Sequence, residues 1–74
     1  MVQIIYTIVK NNELILAQNL QYSSKVEAKR QLNALYEDIT TKPNIKDITY
    51  NSTQLVFTDT AENDSDEIHK FEII

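Results

Sequence analysis

The sequence predicts an α+β domain in which one helix packs on a small antiparallel sheet, in the order β-β-α-β-β-β. Two observations predict this fold class. Four short segments are rich in β-branched and aromatic residues, which favour strands, and a fifth segment returns from a turn beside the first of them. One longer segment repeats its apolar residues at helical spacing behind a capping motif. At 74 residues we expect a single domain, 1–74.

The first two segments predict a β-hairpin. Val2–Val9 and Glu13–Leu20 form its strands, and Asn11-Asn12 forms its turn. Asparagine tolerates positive φ better than most residues, so this pair can replace Asn-Gly in a two-residue turn. The expected register places Lys10 opposite Glu13 and Ile8 opposite Ile15.

The helix is predicted over Lys25–Ile39. Ser24 stands three residues before Glu27, which is the spacing of a capping box. The apolar residues recur at steps of four, three and four, which gives one buried stripe. This stripe consists of Ala28, Leu32, Leu35 and Ile39. Pro43 follows the predicted end of the helix.

Three further strands are predicted over Ile45–Tyr50, Thr53–Thr58 and Glu67–Ile74. A turn at Asn51-Ser52 joins the first two of them. Alternation then places one set of side chains on a common face: Lys46, Ile48, Tyr50, Leu55 and Phe57. Ile45 and Val56 are expected on the opposite face.

The first hairpin is apolar on both faces, although one helix can cover only one. Val2, Ile4, Tyr6, Ile8 and Ile15 are expected on one face. Ile5, Val9, Leu14, Leu16 and Leu20 are expected on the other. The second face could be covered by the C-terminal strand, by a second copy of the chain or by a target protein, or it could curl to bury itself. For self-association we single out Ile5, Val9, Leu14 and Leu16.

The composition excludes several classes of catalytic and binding site. The chain has no glycine and no cysteine, and His69 is its one histidine. Phosphate-binding glycine loops and the nucleophile elbow therefore cannot form, and the usual zinc sites with several cysteines or histidines cannot be assembled within one chain. We expect His69 on an edge strand or at the surface, and we expect no catalytic residues, no metal and no cofactor.

The net charge of −4 lies wholly in residues 41–74. Five carboxylates within nine residues contribute most of it: Asp59, Glu62, Asp64, Asp66 and Glu67. Three interpretations remain open. They could keep a small protein in solution, dock on a basic protein surface, or bind a divalent ion, although the calcium-loop glycine is absent.

Direct nucleic-acid binding is disfavoured because an acidic chain repels phosphate. Lys25, Lys29 and Arg30 make only a small basic patch on the helix. The N-terminal residues lack the pattern of a signal peptide, and no apolar run approaches the length of a membrane span. We therefore expect a cytoplasmic protein without a membrane partner.

In size, acidity and composition the chain resembles small inhibitors from phages and mobile elements, such as anti-CRISPR proteins. This resemblance implies a non-enzymatic protein that binds a nuclease or another nucleic-acid-binding effector. The five carboxylates listed above would then be the contact surface. The alternative is a small structural or accessory protein that forms a homodimer through the apolar second face.

Overall fold

A computed structural model describes residues 2–60 and 66–74 of the chain. Within these ranges the chain forms one helix and five strands in the predicted order. The strands are β1 (Val2–Lys10), β2 (Glu13–Tyr22), β3 (Ile45–Tyr50), β4 (Gln54–Asp59) and β5 (Glu67–Ile73), and the helix is α1 (Lys25–Ile39). The predicted fold class is confirmed.

The five strands form one antiparallel sheet in the spatial order β2-β1-β5-β4-β3. The C-terminal strand β5 therefore lies in the centre, between β1 and β4. The chain leaves one edge of the sheet after β2, passes through α1 and enters the other edge as β3. Because β5 pairs within the sheet, it does not fold across the second face, and that candidate cover is excluded.

The helix forms as its capping motif predicts. The Ser24 side chain accepts a hydrogen bond from the backbone N–H of Glu27 at 3.2 Å, which satisfies one of the free amides of the first turn. The predicted stripe faces the sheet. Ala28, Leu32 and Ile39 are buried against it, and Leu35 is partly buried.

The core lies between this stripe and one face of the sheet, which we call the helix side. The opposite face is called the open side. Five sheet residues complete the buried core: Ile4, Leu55, Phe57, Phe71 and Ile73. Tyr6 stacks on Phe71 with ring centroids 4.2 Å apart and the planes nearly parallel at 3°. The helix α1 packs on the helix side and is the one helix of the described residues. No described element therefore covers the open side.

The Asn11-Asn12 turn is confirmed. Both residues have positive φ, 54° and 62°, as a type I′ turn requires. Lys10 pairs with Glu13 as predicted. Asparagine here performs the conformational role that glycine performs in most such turns.

The predicted pairing of Ile8 with Ile15 is wrong, because β2 contains an extra residue. Ile8 pairs with Leu16 and Val9 with Leu14, which leaves Ile15 as the bulged residue. Such a bulge inverts the alternation beyond it. Leu16 and Leu20 consequently lie on the helix side, opposite Ile8 and Ile4, and not with Ile5.

A second bulge, in β3, places two residues on faces other than those predicted. The register shifts between Lys46 and Thr49, and Asp47 takes a φ of 54°. Ile45 therefore pairs with Asp59 and packs against the core, whereas Lys46 pairs with Thr58 on the open side. Alternation alone predicts the opposite face for both residues, and it is wrong here because a bulge leaves no mark on the sequence pattern.

We predict that Asp47→Gly stabilises the protein. Left-handed backbone is unfavourable for residues with a Cβ and free for glycine, so we expect the free energy of unfolding to rise by up to about 1 kcal/mol. Urea denaturation measures this change. Lys29→Gly, at an exposed position inside α1, is the control and should lower stability by about 1 kcal/mol. A loss of stability in Asp47→Gly would contradict the role assigned to this bulge.

Candidate functional site

Four polar side chains converge on the helix side of the sheet, and we call them the His69 cluster: Tyr6, Asp59, Glu67 and His69. The strand register assembles them. Asp59 at the end of β4 pairs with Glu67 at the start of β5. His69 follows Glu67 by two residues and therefore lies on the same face. None of these residues is adjacent to Tyr6 in sequence.

The ring of His69 is held by contacts on its faces and at both nitrogens. Its centroid lies 4.9 Å from that of Phe57 and 5.8 Å from that of Tyr6, both in stacked arrangements. Nδ1 is 2.8 Å from the Tyr6 hydroxyl, and Nε2 is 3.1 Å from Oε1 of Glu67. The side chain is 12% exposed. The expectation of an edge or surface histidine is therefore wrong, because β5 is a central strand.

The carboxylates of the cluster face both a cation and the phenol. Lys10 Nζ lies 4.0 Å from Oε2 of Glu67. Burial raises the pKa of Tyr6 above its usual value of 10.0, and the nearby charges of Glu67 and Asp59 raise it further. Tyr6 therefore keeps its proton at neutral pH and can donate a hydrogen bond to His69 or accept one from it.

The predicted acidic contact surface is divided by the fold. Asp59 and Glu67 lie half-buried in the His69 cluster. Asp66 is exposed, with 51% of its side chain accessible, and forms an ion pair with Lys46 at 3.6 Å. Glu62 and Asp64 lie outside the described residues. Whether these five residues act as one docking surface stays a prediction.

The predicted self-association residues are also divided. Val9 pairs with Leu14 on β2 and with Ile68 on β5, so these three lie in one row across the open side. Leu14 is 59% exposed and Ile68 is 45% exposed. We call these three residues the apolar row, and Ile5 lies further along β1 on the same side. Leu16 lies on the helix side and cannot belong to this surface.

Sequence reasoning missed the His69 cluster because it treated the acidic residues as a loop and His69 as isolated. The Glu67-x-His69 spacing, with both residues on one strand face, was the available signal. Asp59 and Tyr6 could not be added to it, because their proximity depends on β5 lying between β1 and β4.

Residues 2–60 and 66–74 enclose no pocket. In the same ranges, no helix has both the length and the apolar character needed to cross a membrane. In comparisons with known proteins, no family model, no curated protein and no solved structure matches the chain.

We predict that Tyr6→Phe destabilises the protein at neutral pH but flattens its alkaline unfolding. Loss of the bond to His69 should cost about 1 kcal/mol at pH 7. Because the pKa of Tyr6 is raised in the folded state, the folded protein holds this proton more tightly than the unfolded chain does. The resulting contribution to the free energy of unfolding is complete below pH 10.0 and is lost as the pH rises above that value. The variant lacks this contribution, so its deficit should shrink there.

Urea midpoints measured between pH 7 and the alkaline limit of reversible folding test the prediction. Tyr22→Phe removes a phenol outside the cluster and is the matched control for the exchange of tyrosine for phenylalanine at each pH. Equal slopes for the parent chain and Tyr6→Phe would show that Tyr6 does not contribute to the alkaline loss.

Proposed function

We propose that this chain is a non-enzymatic binding module that docks on a basic surface of a nucleic-acid-binding protein. In this proposal it is an inhibitor encoded by a phage or mobile element and acts in the cytoplasm of the host cell. The observation that carries the proposal is the separation of charge. The first forty residues are neutral, and residues 41–74 carry the whole net charge of −4.

The fold supports a contact at one end of the sheet. The β1–β2 turn, the end of β4 and the start of β5 lie at this end, because Lys10 pairs with both Glu13 and Glu67, and Glu67 pairs with Asp59. Asp66 is exposed at this end, and the connection itself contains Glu62 and Asp64. Carboxylates in such a segment could take the place of phosphates on lysine and arginine side chains.

The apolar row is a second feature that supports docking. Acidic residues that only kept the protein in solution would not need exposed apolar residues beside them. Val9, Leu14 and Ile68 lie at the same end of the sheet, on the open side. Exposed apolar residues beside charged ones are typical of protein interfaces, in which an apolar centre is surrounded by a polar rim. The carboxylates would steer association with a basic partner, and the apolar row would contribute buried area.

We predict that neutralising Glu62, Asp64 and Asp66 abolishes docking without changing the fold. The test variant is Glu62→Gln/Asp64→Asn/Asp66→Asn, which leaves the His69 cluster intact. The matched control is Glu27→Gln/Glu37→Gln/Asp38→Asn, which changes the charge equally on α1. Each protein is immobilised and used to capture proteins from a bacterial lysate, with and without added duplex DNA.

The proposal expects a nucleic-acid-binding protein that is captured by the parent chain and by the control variant. The same protein should be lost from the test variant and displaced by DNA. Capture that is equal for the test and control variants contradicts the acidic docking mechanism. Capture that DNA does not displace contradicts a nucleic-acid-binding surface as the target.

The second candidate is a structural or accessory protein that self-associates through the open side. The exposure of Leu14 and Ile68 on a face that no described element covers favours it. A second copy could cover that face by packing its own apolar row there.

We predict for this candidate that Leu14→Lys converts a dimer into a monomer in sedimentation equilibrium. Leu16→Lys, two residues away on the helix side, should leave the dimer in place if the chain still folds. A parent chain that is monomeric at all accessible concentrations would exclude the candidate. Dissociation by Leu16→Lys alone, with circular dichroism unchanged, would contradict the open side as the interface.

A further inference from the structure

We propose that Asp59, Glu67 and His69 form a binding site for a divalent transition-metal ion, with zinc as its best-suited occupant. The inference is independent of the docking function, which is tested on Glu62, Asp64 and Asp66 and on the apolar row. It rests on three features of the His69 cluster: the spacing of its ligand atoms, the chemistry of the donors and the support around the imidazole.

The ligand atoms already stand close to coordination spacing. One oxygen of Asp59, one of Glu67 and one nitrogen of His69 all lie within 4.8 Å of one another. Metal–ligand bonds of about 2.0–2.2 Å in a tetrahedral site separate neighbouring donors by roughly 3.3 Å. His69 Nε2 and Glu67 Oε1 are 3.1 Å apart. Small side-chain rotations would therefore bring the three donors around one ion.

The backbone supplies much of this organisation. Asp59 and Glu67 are a cross-strand pair, and Glu67 and His69 point from one face of a single strand. Both strands lie inside the sheet, since β4 is flanked by β3 and β5 and β5 is flanked by β1 and β4. Three ligands held on interior strands need less reorganisation than ligands on a loop.

The donor set selects the class of metal. Two carboxylate oxygens and one imidazole nitrogen suit zinc and neighbouring first-row ions better than calcium or magnesium, which prefer oxygen alone. Two carboxylates neutralise a dication when the imidazole is uncharged. Three protein ligands leave a fourth tetrahedral position, which water or a donor from a bound partner would fill.

The surroundings of His69 provide the support that metal-binding imidazoles have in other proteins. Such a histidine binds the metal through one nitrogen and gives the N–H of the other to a fixed hydrogen-bond partner. With Nε2 on the metal, Nδ1 would donate to the Tyr6 hydroxyl, which lies 2.8 Å away. Phe57 stacks on the same ring and restricts its rotation.

Lys10 is the competing cation. Its Nζ lies 4.0 Å from Glu67 Oε2, on the oxygen that does not face His69. Its side chain is 31% exposed, so it can move towards solvent when an ion enters. Removing the charge of Lys10 should therefore strengthen metal binding, because Lys10 no longer competes for the Glu67 carboxylate. A cluster whose charge is already neutralised, and which binds no metal, would not respond in this way.

The single histidine makes the experiment direct, because every imidazole signal of the untagged chain belongs to His69. The full-length chain is freed of metal with a chelator and titrated with ZnSO₄ while its imidazole ¹⁵N resonances are recorded. Titration with CoCl₂ follows the visible absorption of the ion. We expect saturation at one ion per chain and a shift of the Nε2 resonance.

The variants then identify the ligands. Asp59→Asn removes a ligand and should weaken zinc binding by more than about 100-fold, which is the most that loss of a supporting group alone typically causes. Tyr6→Phe should weaken it by about 10–100-fold through the loss of support at Nδ1. Lys10→Gln should strengthen it. The matched control is Glu72→Gln, on the open side of the same strand, and it should leave the affinity unchanged.

Two results would overturn the inference. The first is an Nε2 resonance that does not respond to saturating zinc. The second is equal affinity for Asp59→Asn and the parent chain, which would place the ion on carboxylates elsewhere. Resonance dispersion in the amide spectrum shows that each variant is folded, and Asp59→Asn and Glu72→Gln alter charge with almost no change of volume.

Discussion

The rest of the structure depends on the insertion of β5 between β1 and β4. Without this strand, the chain would consist of two hairpins and a helix with no continuous sheet to pack on. Phe71 and Ile73 on β5 are buried in the core, and Phe71 stacks on Tyr6 from the opposite end of the chain. These contacts close the longest loop of the fold, so the C-terminal residues hold the N-terminal hairpin in place.

The chain achieves its bends without glycine. Among the described residues, those with positive φ are Asn11, Asn12 and Asp47, the residue types whose short polar side chains tolerate this conformation. Two occupy the first turn and the third produces the bulge of β3. Their placement determines which side chains reach the core, since the bulge of β3 turns Ile45 inward and Lys46 outward.

The two sides of the sheet have different chemistry. On the helix side the apolar core ends in the His69 cluster, where a histidine stacked against aromatic rings lies beside two carboxylates. The open side carries the apolar row, two of whose members are substantially exposed. The proposed docking function and the proposed metal site therefore use different residues, so a variant in one can leave the other intact.

The helix, the strands and the first turn of this protein follow from local sequence patterns. Local signals sufficed for the helix from Lys25 to Ile39, for the Asn11-Asn12 turn and for five strands, because caps, turns and alternation act over a few residues. Tertiary structure alone decided the strand order, the two bulges and the His69 cluster. These depend on pairing between distant segments: only when β5 lies beside both β1 and β4 do Tyr6 and Asp59 meet His69.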